Sequence, residues 1–355
     1  MTRHRRGALA LAAATTLVAV GLAGPAESAS AGHTSGPYFD LATLPAPPST
    51  GAEIFAGLEE FVRSYPWRTT GGPTEIQAGI ALRDEMAGLG YDATIEGVPI
   101  TPDLPASPEA GLKAVTATKQ GTTRPDEWIT FIGHYDTAPQ TIYGAYDNGS
   151  GTNLLRFLAK DLAGVETNRS LVFVWYNGEE EGRLASIRHA RALREAGQEI
   201  TAVLGFDMVG IAWPVAAPTA VNCLCLFHGP DDRAAFEPLL RFVNYDFLGF
   251  PDGNREVRYA GTNDRNSDEQ SFAAQGYPTL RWAGMRRAAD YPAYHLPDDT
   301  IEQIIESSGG ARYYEEGIAN TRDSAYYTAL ALDNHLPEPS FTVDVTGLRT
   351  RDKIT

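Results

Sequence analysis

Cysteine is nearly absent from this chain. The two present, in Cys223-Leu224-Cys225, are too few to organise the fold as a disulfide framework. A bridge across one intervening residue would close a small, strained ring, and a C-x-C zinc site needs partners that do not stand nearby. The expectation is two thiols on a strand, one pointing to each face. Long hydrophobic runs are also missing after the first thirty or so residues, which excludes a later membrane span. Basic residues are in deficit: 29 Lys and Arg face 45 Asp and Glu, a net charge of −16. That balance argues against nucleic acid or an anionic membrane as the partner. No internal repeat is visible, so nothing suggests a repeat architecture.

What is present begins with a leader. MTRHRR is a positive n-region, GALALAAATTLVAVGLAG is apolar, and Ala29-Ser30-Ala31 offers a small-x-small cleavage site. Residues 1–31 are therefore expected to be a signal peptide and the protein to be secreted, extracellular and free of the membrane after cleavage. Arg5-Arg6 alone is weak evidence for a twin-arginine signal. Losing Arg3, Arg5, Arg6 and Glu27 takes the net charge from −16 to −18.

Residues 32–51 are rich in Pro, Ser and Gly and read as an N-terminal arm. Residues 52–335 read as one domain and 336–355 as a loose tail. Helical patterns at 52–64 and 74–90 precede strands at 92–100 and 112–118. From there strands at 128–133, 171–176, 200–206, 222–227 and 277–282 alternate with helices at 149–162, 184–196 and 231 to about 245. A last helical pattern fills 301–332. LeuValPheValTrpTyr (171–176) is a near-continuous apolar strand of the kind buried in a parallel sheet. This rhythm predicts an α/β fold: a single three-layer domain with a mostly parallel or mixed central sheet and helices on both faces.

Five short phrases carry the chemistry: GHYDT, YDNGSG, YNGEEEG, GFDMVG and YHLPDDT. They place His134, Asp147, Glu179-Glu180, Asp207 and His295 in order. His134, Glu179, Glu180 and Asp207 each follow a strand, and ligands of open α/β sheets gather beyond the carboxyl ends of strands. Each residue also has an ordinary reading. His134 could be a structural histidine, with Asp136 placed to fix its tautomer. Asp147 precedes a helix and could be an N-cap. The run of three acids could simply favour a helix dipole, though acids at the end of a buried strand are costly unless something positive sits there. His295 could be a loop histidine, and Asp299 an N-cap acid or a partner behind a ligand. Together the set supplies two imidazoles, three carboxylate ligands and one spare carboxylate. That suits a pair of divalent metals plus a general base, and hence metal-assisted hydrolysis.

In this order the phrases resemble the secreted di-zinc aminopeptidases, the co-catalytic zinc exopeptidases, across roughly residues 52–332. The resemblance implies that His134 and Asp207 bind one Zn²⁺, Glu180 and His295 the other, and that Asp147 bridges them. It implies Glu179 as general base taking a proton from a water shared by the metals, and Tyr294 as a hydrogen-bond donor to the developing oxyanion. Two Zn²⁺ per chain are implied, with Co²⁺ or Mn²⁺ as alternative occupants. The partners implied are peptides with a free N-terminus, cleaved by a monomer.

The chain departs from the family pattern at two places. Ser267-Asp268-Glu269-Gln270 stands where Ser-Asp-His is frequent, and Arg183 stands where leucine is frequent. Arg281, Arg286 and Arg287 lie close to His295 in sequence. They read either as solvated charge or as a receptor for a carboxylate. Three competing functions share parts of this pattern. The related di-zinc carboxypeptidases, dipeptidases and deacylases usually insert a second domain and follow the bridging Asp with Lys-Gly; here Asn148-Gly149 follows. Single-zinc glutaminyl cyclases usually lack the G-E-E-x-G phrase. A non-catalytic relative would be expected to have lost a ligand or the base.

Overall fold

In the computed structural model of the chain, residues 41–98, 111–211, 222–228, 232–250, 257–260, 267–285 and 287–334 are described. The expected signal peptide, residues 32–40 of the arm and the expected tail lie outside them.

Helices α1 (Gly51–Ser64) and α2 (Pro73–Gly88) come first. Thr50 starts α1 with a capping box: its hydroxyl accepts from the Glu53 N–H while the Glu53 carboxylate accepts from the Thr50 N–H. Pro73 starts α2 at a position where its missing N–H costs nothing. Strands β1 (Asp92–Val98), β2 (Leu112–Lys119) and β3 (Arg124–His134) follow. A turn over Ala145–Ser150 then leads into α3 (Gly151–Leu162), so the helix expected from Gly149 begins two residues later. Next come β4 (Arg169–Tyr176), α4 (Leu184–Glu195), β5 (Glu199–Phe206), β6 (Asn222–His228) and α5 (Arg233–Arg241). The described chain ends with β7 (Val257–Ala260), α6 (Glu269–Ala273), β8 (Thr279–Met285), α7 (Ile301–Ser308) and α8 (Ala311–Asn334). The single helical pattern expected over 301–332 is two helices. Gly309 and Gly310 both take positive φ (80° and 138°), which ends α7 and lets α8 start in a new direction.

The eight strands form one mixed sheet, ordered β1-β2-β4-β3-β5-β8-β6-β7. Its centre, β4-β3-β5-β8, is parallel. Antiparallel pairings join β2 to β4 on one side and β6 to β8 on the other. Alternation along each strand divides the core in two. Leu171, Phe173 and Trp175 of β4 face the larger part, built with α1, α2, α3, α5, α7 and α8. Val172, Val174 and Tyr176 face the smaller, where Ala185 and Ala190 of α4 and Phe272 of α6 pack. The α/β sandwich expected from the sequence is the fold observed.

A row of rings crosses the central strands. Phe131 stacks on Phe173 at 4.4 Å, and Phe206 on Trp282 at 5.2 Å. Full burial of one such ring contributes about 1.5–3 kcal/mol. The row lies under the strand ends that carry His134 and Asp207, so the site stands on a close-packed floor.

The cysteine expectation is corrected. Positions two apart on a strand share a face. Cys223 and Cys225 have Cα atoms 5.1 Å apart and are disulfide-bonded.

Candidate metal centre

Five of the singled-out residues converge on one edge of the sheet. His134 is the last residue of β3. Its carbonyl accepts hydrogen bonds from Thr152 Oγ1 (2.8 Å) and Asn148 Nδ2 (3.2 Å), which fixes the strand end. Its Nδ1 faces Asp136 Oδ1 at 3.4 Å without a formed hydrogen bond. Asp136 also accepts from the backbone N–H groups of Glu179 and Glu180 and from the Thr70 hydroxyl. One carboxylate thus ties the loop after β3 to the loop after β4.

Asp147 sits in the turn before α3 with extended backbone (φ −106°, ψ 99°), followed by a cis peptide to Asn148. It caps no helix, which corrects the N-cap alternative. Asp299 is likewise not the cap of α7, a role Thr300 fills. The Asp299 carboxylate instead accepts from the backbone N–H of Tyr146 (2.8 Å), the N–H of Asp147 (3.0 Å) and the Tyr291 hydroxyl (3.0 Å). It holds the Asp147 turn from behind.

Nε2 of His134 lies 3.4 Å from Asp147 Oδ1 and 3.6 Å from Asp207 Oδ1. Nε2 of His295 lies 3.3 Å from Asp147 Oδ2 and 3.0 Å from Glu180 Oε2. Two donor groups result, His134-Asp147-Asp207 and Asp147-Glu180-His295, each with ligand atoms within 4.8 Å of one another. Asp147 offers one oxygen to each. Glu179 belongs to neither group, and Glu180 is steadied by the Ala138 N–H at 3.0 Å. His295 has φ 55° and Met208, next to Asp207, φ 54°. For residues with side chains this costs about 1–2 kcal/mol each, strain of the kind that collects at functional sites. The Tyr294 ring stacks on the His295 imidazole at 3.8 Å.

The electrostatics favour positive charge at this site. Burial opposes charging His134, yet Glu179, Asp136, Asp147 and Asp207 hold its imidazole well above its usual range. Hydrogen bonds to Asp147 and Glu180 raise His295 to about 10. Burial, aided by Asp147, lifts Glu180 to about 7. Burial also raises Glu179 strongly. These groups draw in protons to neutralise one another, as a cluster built around cations does in their absence. Buried His134 Nδ1 and Asp207 Oδ1 have no hydrogen-bond partner. Mixed imidazole and carboxylate donors suit zinc. The residues therefore fit a pair of divalent ions.

Other positions play parts that sequence reasoning did not assign. Asn148 is a latch: its Nδ2 donates to the carbonyls of His134 and Phe206, and its Oδ1 accepts from the N–H groups of Gly151 and Met208. Arg68, fully buried, donates to the carbonyls of Tyr65, Tyr135, Tyr143 and Gly144. It braces both loops around the site. Lys113 and Glu75 form a buried ion pair at 2.7 Å, and Glu75 also accepts from the Tyr135 hydroxyl. In a single sequence these look like ordinary helix, strand and loop residues, and only packing reveals them. Among the late arginines, Arg287 is exposed and paired with Asp290 at 2.6 Å, and Arg286 lies outside the described residues. Arg281 is buried beside Asp207 at 3.7 Å, which corrects the solvated-charge reading for that residue. Arg183 donates to Gln270 Oε1.

The sequence pattern of peptidase family M28 matches residues 114–315, more than half of the chain. The chain is similar to aminopeptidase YwaD of Bacillus subtilis, 29% identical over 182 residues that make up 50% of this chain and 36% of that protein. It thus spans little more than a third of that relative's length. In structure it is similar to the LapA aminopeptidase of Legionella pneumophila (TM-score 0.63, 19% identity, 81% of this chain and 73% of that one). A glutaminyl cyclase of Fimbriiglobus ruber is also similar (TM-score 0.61, 16% identity, 81% and 97%). These two likenesses concern the fold, which hosts both chemistries.

Proposed function

The chain belongs to peptidase family M28, and from that premise we propose that it is a secreted, zinc-dependent aminopeptidase that removes N-terminal residues from peptides. The observation that carries this reading is the sharing of Asp147 between two three-residue donor groups, with Glu179 beside them and outside both. In this reading His134, Asp147 and Asp207 would hold one zinc, and Asp147, Glu180 and His295 would hold the other. Bound zinc supplies a lowered pKa for the attacking water and polarisation of the scissile carbonyl.

The chain's own residues do the rest. Burial raises the pKa of Glu179 and so makes its ionised carboxylate a stronger base, which would take a proton from the attacking water and, once protonated, pass it to the leaving amine. Tyr294, placed by its stack on His295, donates a hydrogen bond to the developing oxyanion. Asp136 orients His134, and Asp299 fixes the backbone of Asp147. The reading also has residues 1–31 removed on export, residues 52–335 forming the catalytic domain, and the enzyme acting outside the cell as a monomer.

Hydrolysis of leucyl anilide is the test, set against its N-acetylated twin with and without chelator. Chelator-sensitive cleavage of the free amine alone is the expected result. Cleavage of the blocked twin would point instead to a deacylase or carboxypeptidase, and cleavage of neither would contradict the assignment.

A further inference from the structure

Beside the metal centre lies a buried guanidinium that makes no hydrogen bond among the described residues. Arg281 stands on β8 opposite Gly205 of β5 and Phe227 of β6. Leu280 and Trp282 on either side of it face the larger core, so alternation turns Arg281 to the opposite face. There it is 6% exposed. Its terminal nitrogens lie 3.7 Å from Asp207 Oδ2 and 4.0 Å from Glu269 Oε1, both beyond hydrogen-bond length. Its Nε is buried with no partner. A guanidinium carries five donors in a rigid fork, and leaving them unmade in a buried place is unfavourable. The group is nonetheless held in position, with Cζ 5.3 Å from the centre of the Phe227 ring. Gly205 keeps the space opposite clear: a Cβ there would stand 3.3 Å from that of Glu269 and 3.7 Å from that of Arg281.

We infer that Arg281 is a specificity-determining residue that receives a carboxylate of the substrate, the side chain of an acidic N-terminal residue. The inference rests on the aminopeptidase reading. A planar carboxylate is the acceptor that matches the guanidinium fork with two parallel hydrogen bonds. Arg281 is within 3.7 Å of Asp207, itself a member of a donor group, so a carboxylate on the fork lies about one side chain away from the reacting carbonyl. The side chain of the residue being removed has that reach. The C-terminal carboxylate of a dipeptide is the other source of the same chemistry. Asp207 and Glu269 are the nearest charges that oppose a substrate anion, and removing that of Glu269, which belongs to neither donor group, strengthens the preference.

The experiment compares kcat/KM of the zinc-loaded enzyme for glutamyl, glutaminyl and leucyl anilides, and for Leu-Gly against Leu-Gly-amide. The wild type is expected to favour glutamyl over the isosteric glutaminyl substrate by about 10- to 100-fold, the worth of a charge-assisted pair. Arg281→Met abolishes that ratio, Arg281→Lys restores part of it, and Glu269→Gln increases it. A ratio near one in the wild type, with leucyl anilide still cleaved, overturns the inference and leaves the aminopeptidase reading standing. Selective loss of Leu-Gly relative to its amide in Arg281→Met overturns the side-chain assignment in favour of the C-terminal carboxylate. If Arg281→Met does not fold, calorimetric binding of L-glutamate and L-glutamine to the wild type decides, together with the Glu269→Gln ratio. Tighter glutamate binding supports the inference even if no anilide is cleaved, and equal binding overturns it.

Discussion

Asp299 touches no reacting group in this account, yet its replacement by Asn should weaken both metal sites at once. Its carboxylate accepts three hydrogen bonds, from the N–H groups of Tyr146 and Asp147 and from the Tyr291 hydroxyl. An Asn amide keeps one acceptor oxygen and turns an NH₂ toward the second backbone N–H. One charge-assisted bond is lost and a buried donor is left facing a donor, at a cost of about 1.5–3 kcal/mol. The freed turn carries Asp147, which belongs to both donor groups. Loss of a partner behind a ligand typically lowers metal affinity about 10- to 100-fold. Burial pushes Asp299 up to about 7, so the comparison belongs at pH 8, where the wild-type carboxylate is charged. The assay is urea unfolding of the metal-free protein beside a calorimetric zinc titration. A fall in unfolding free energy together with weaker binding in both steps is expected. Unchanged stability, or weakening of one step alone, would refute the argument that Asp299 acts through the Asp147 turn.

Glu179→Gln removes the proposed base and no ligand, so zinc content should stay at the wild-type level while kcat falls about 10²- to 10⁴-fold; parallel loss of zinc would contradict that role. The metal-free protein should lose stability as pH rises from 5 to 8. Glu180 and Asp299 both have folded pKa values raised to about 7, first by burial, above ordinary values of 4.5 and 3.8. For acids raised in this way the folded state binds more protons, so their contribution is complete below the unfolded pKa and lost as pH climbs through about 7. Saturating zinc should flatten the decline. Thermal melting across that range with and without zinc reads it, and a metal-free protein that grew more stable with pH would reverse the sign worked out here.

Most of the fold was legible because periodicity survives in a single sequence. The apolar run 171–176 became β4, and Gly151–Leu162 kept its helical pattern. Short elements were lost. β7 has four residues and α6 five, too few for a period to show, and β7 lies in a stretch that reads as loop. The α7–α8 break rests on Gly309-Gly310, whose positive φ values interrupt a pattern that continues on both sides. His134 and Asp207 meet because parallel strand ends lie along one sheet edge, and the loops that carry Asp147, Glu180 and His295 fold over that edge. The bracing residues were not legible. Arg68 and Asn148 act through backbone carbonyls distant in sequence, a role no spacing encodes. Asp299 could be narrowed only to two alternatives, because its three donors come from two separate segments. The burial of Arg281 needed the register of β5, β8 and β6.

The central claim is that one carboxylate serves two metals. Zinc counted per chain by elemental analysis, in wild type and in Asp147→Asn after equal dialysis, tests it most directly. The account predicts two ions in the wild type and loss from both sites in the variant, because one donor group loses its Asp147 oxygen and the other keeps only a neutral amide oxygen in place of a charged one. Two ions retained in Asp147→Asn, or one ion in both proteins, would contradict it.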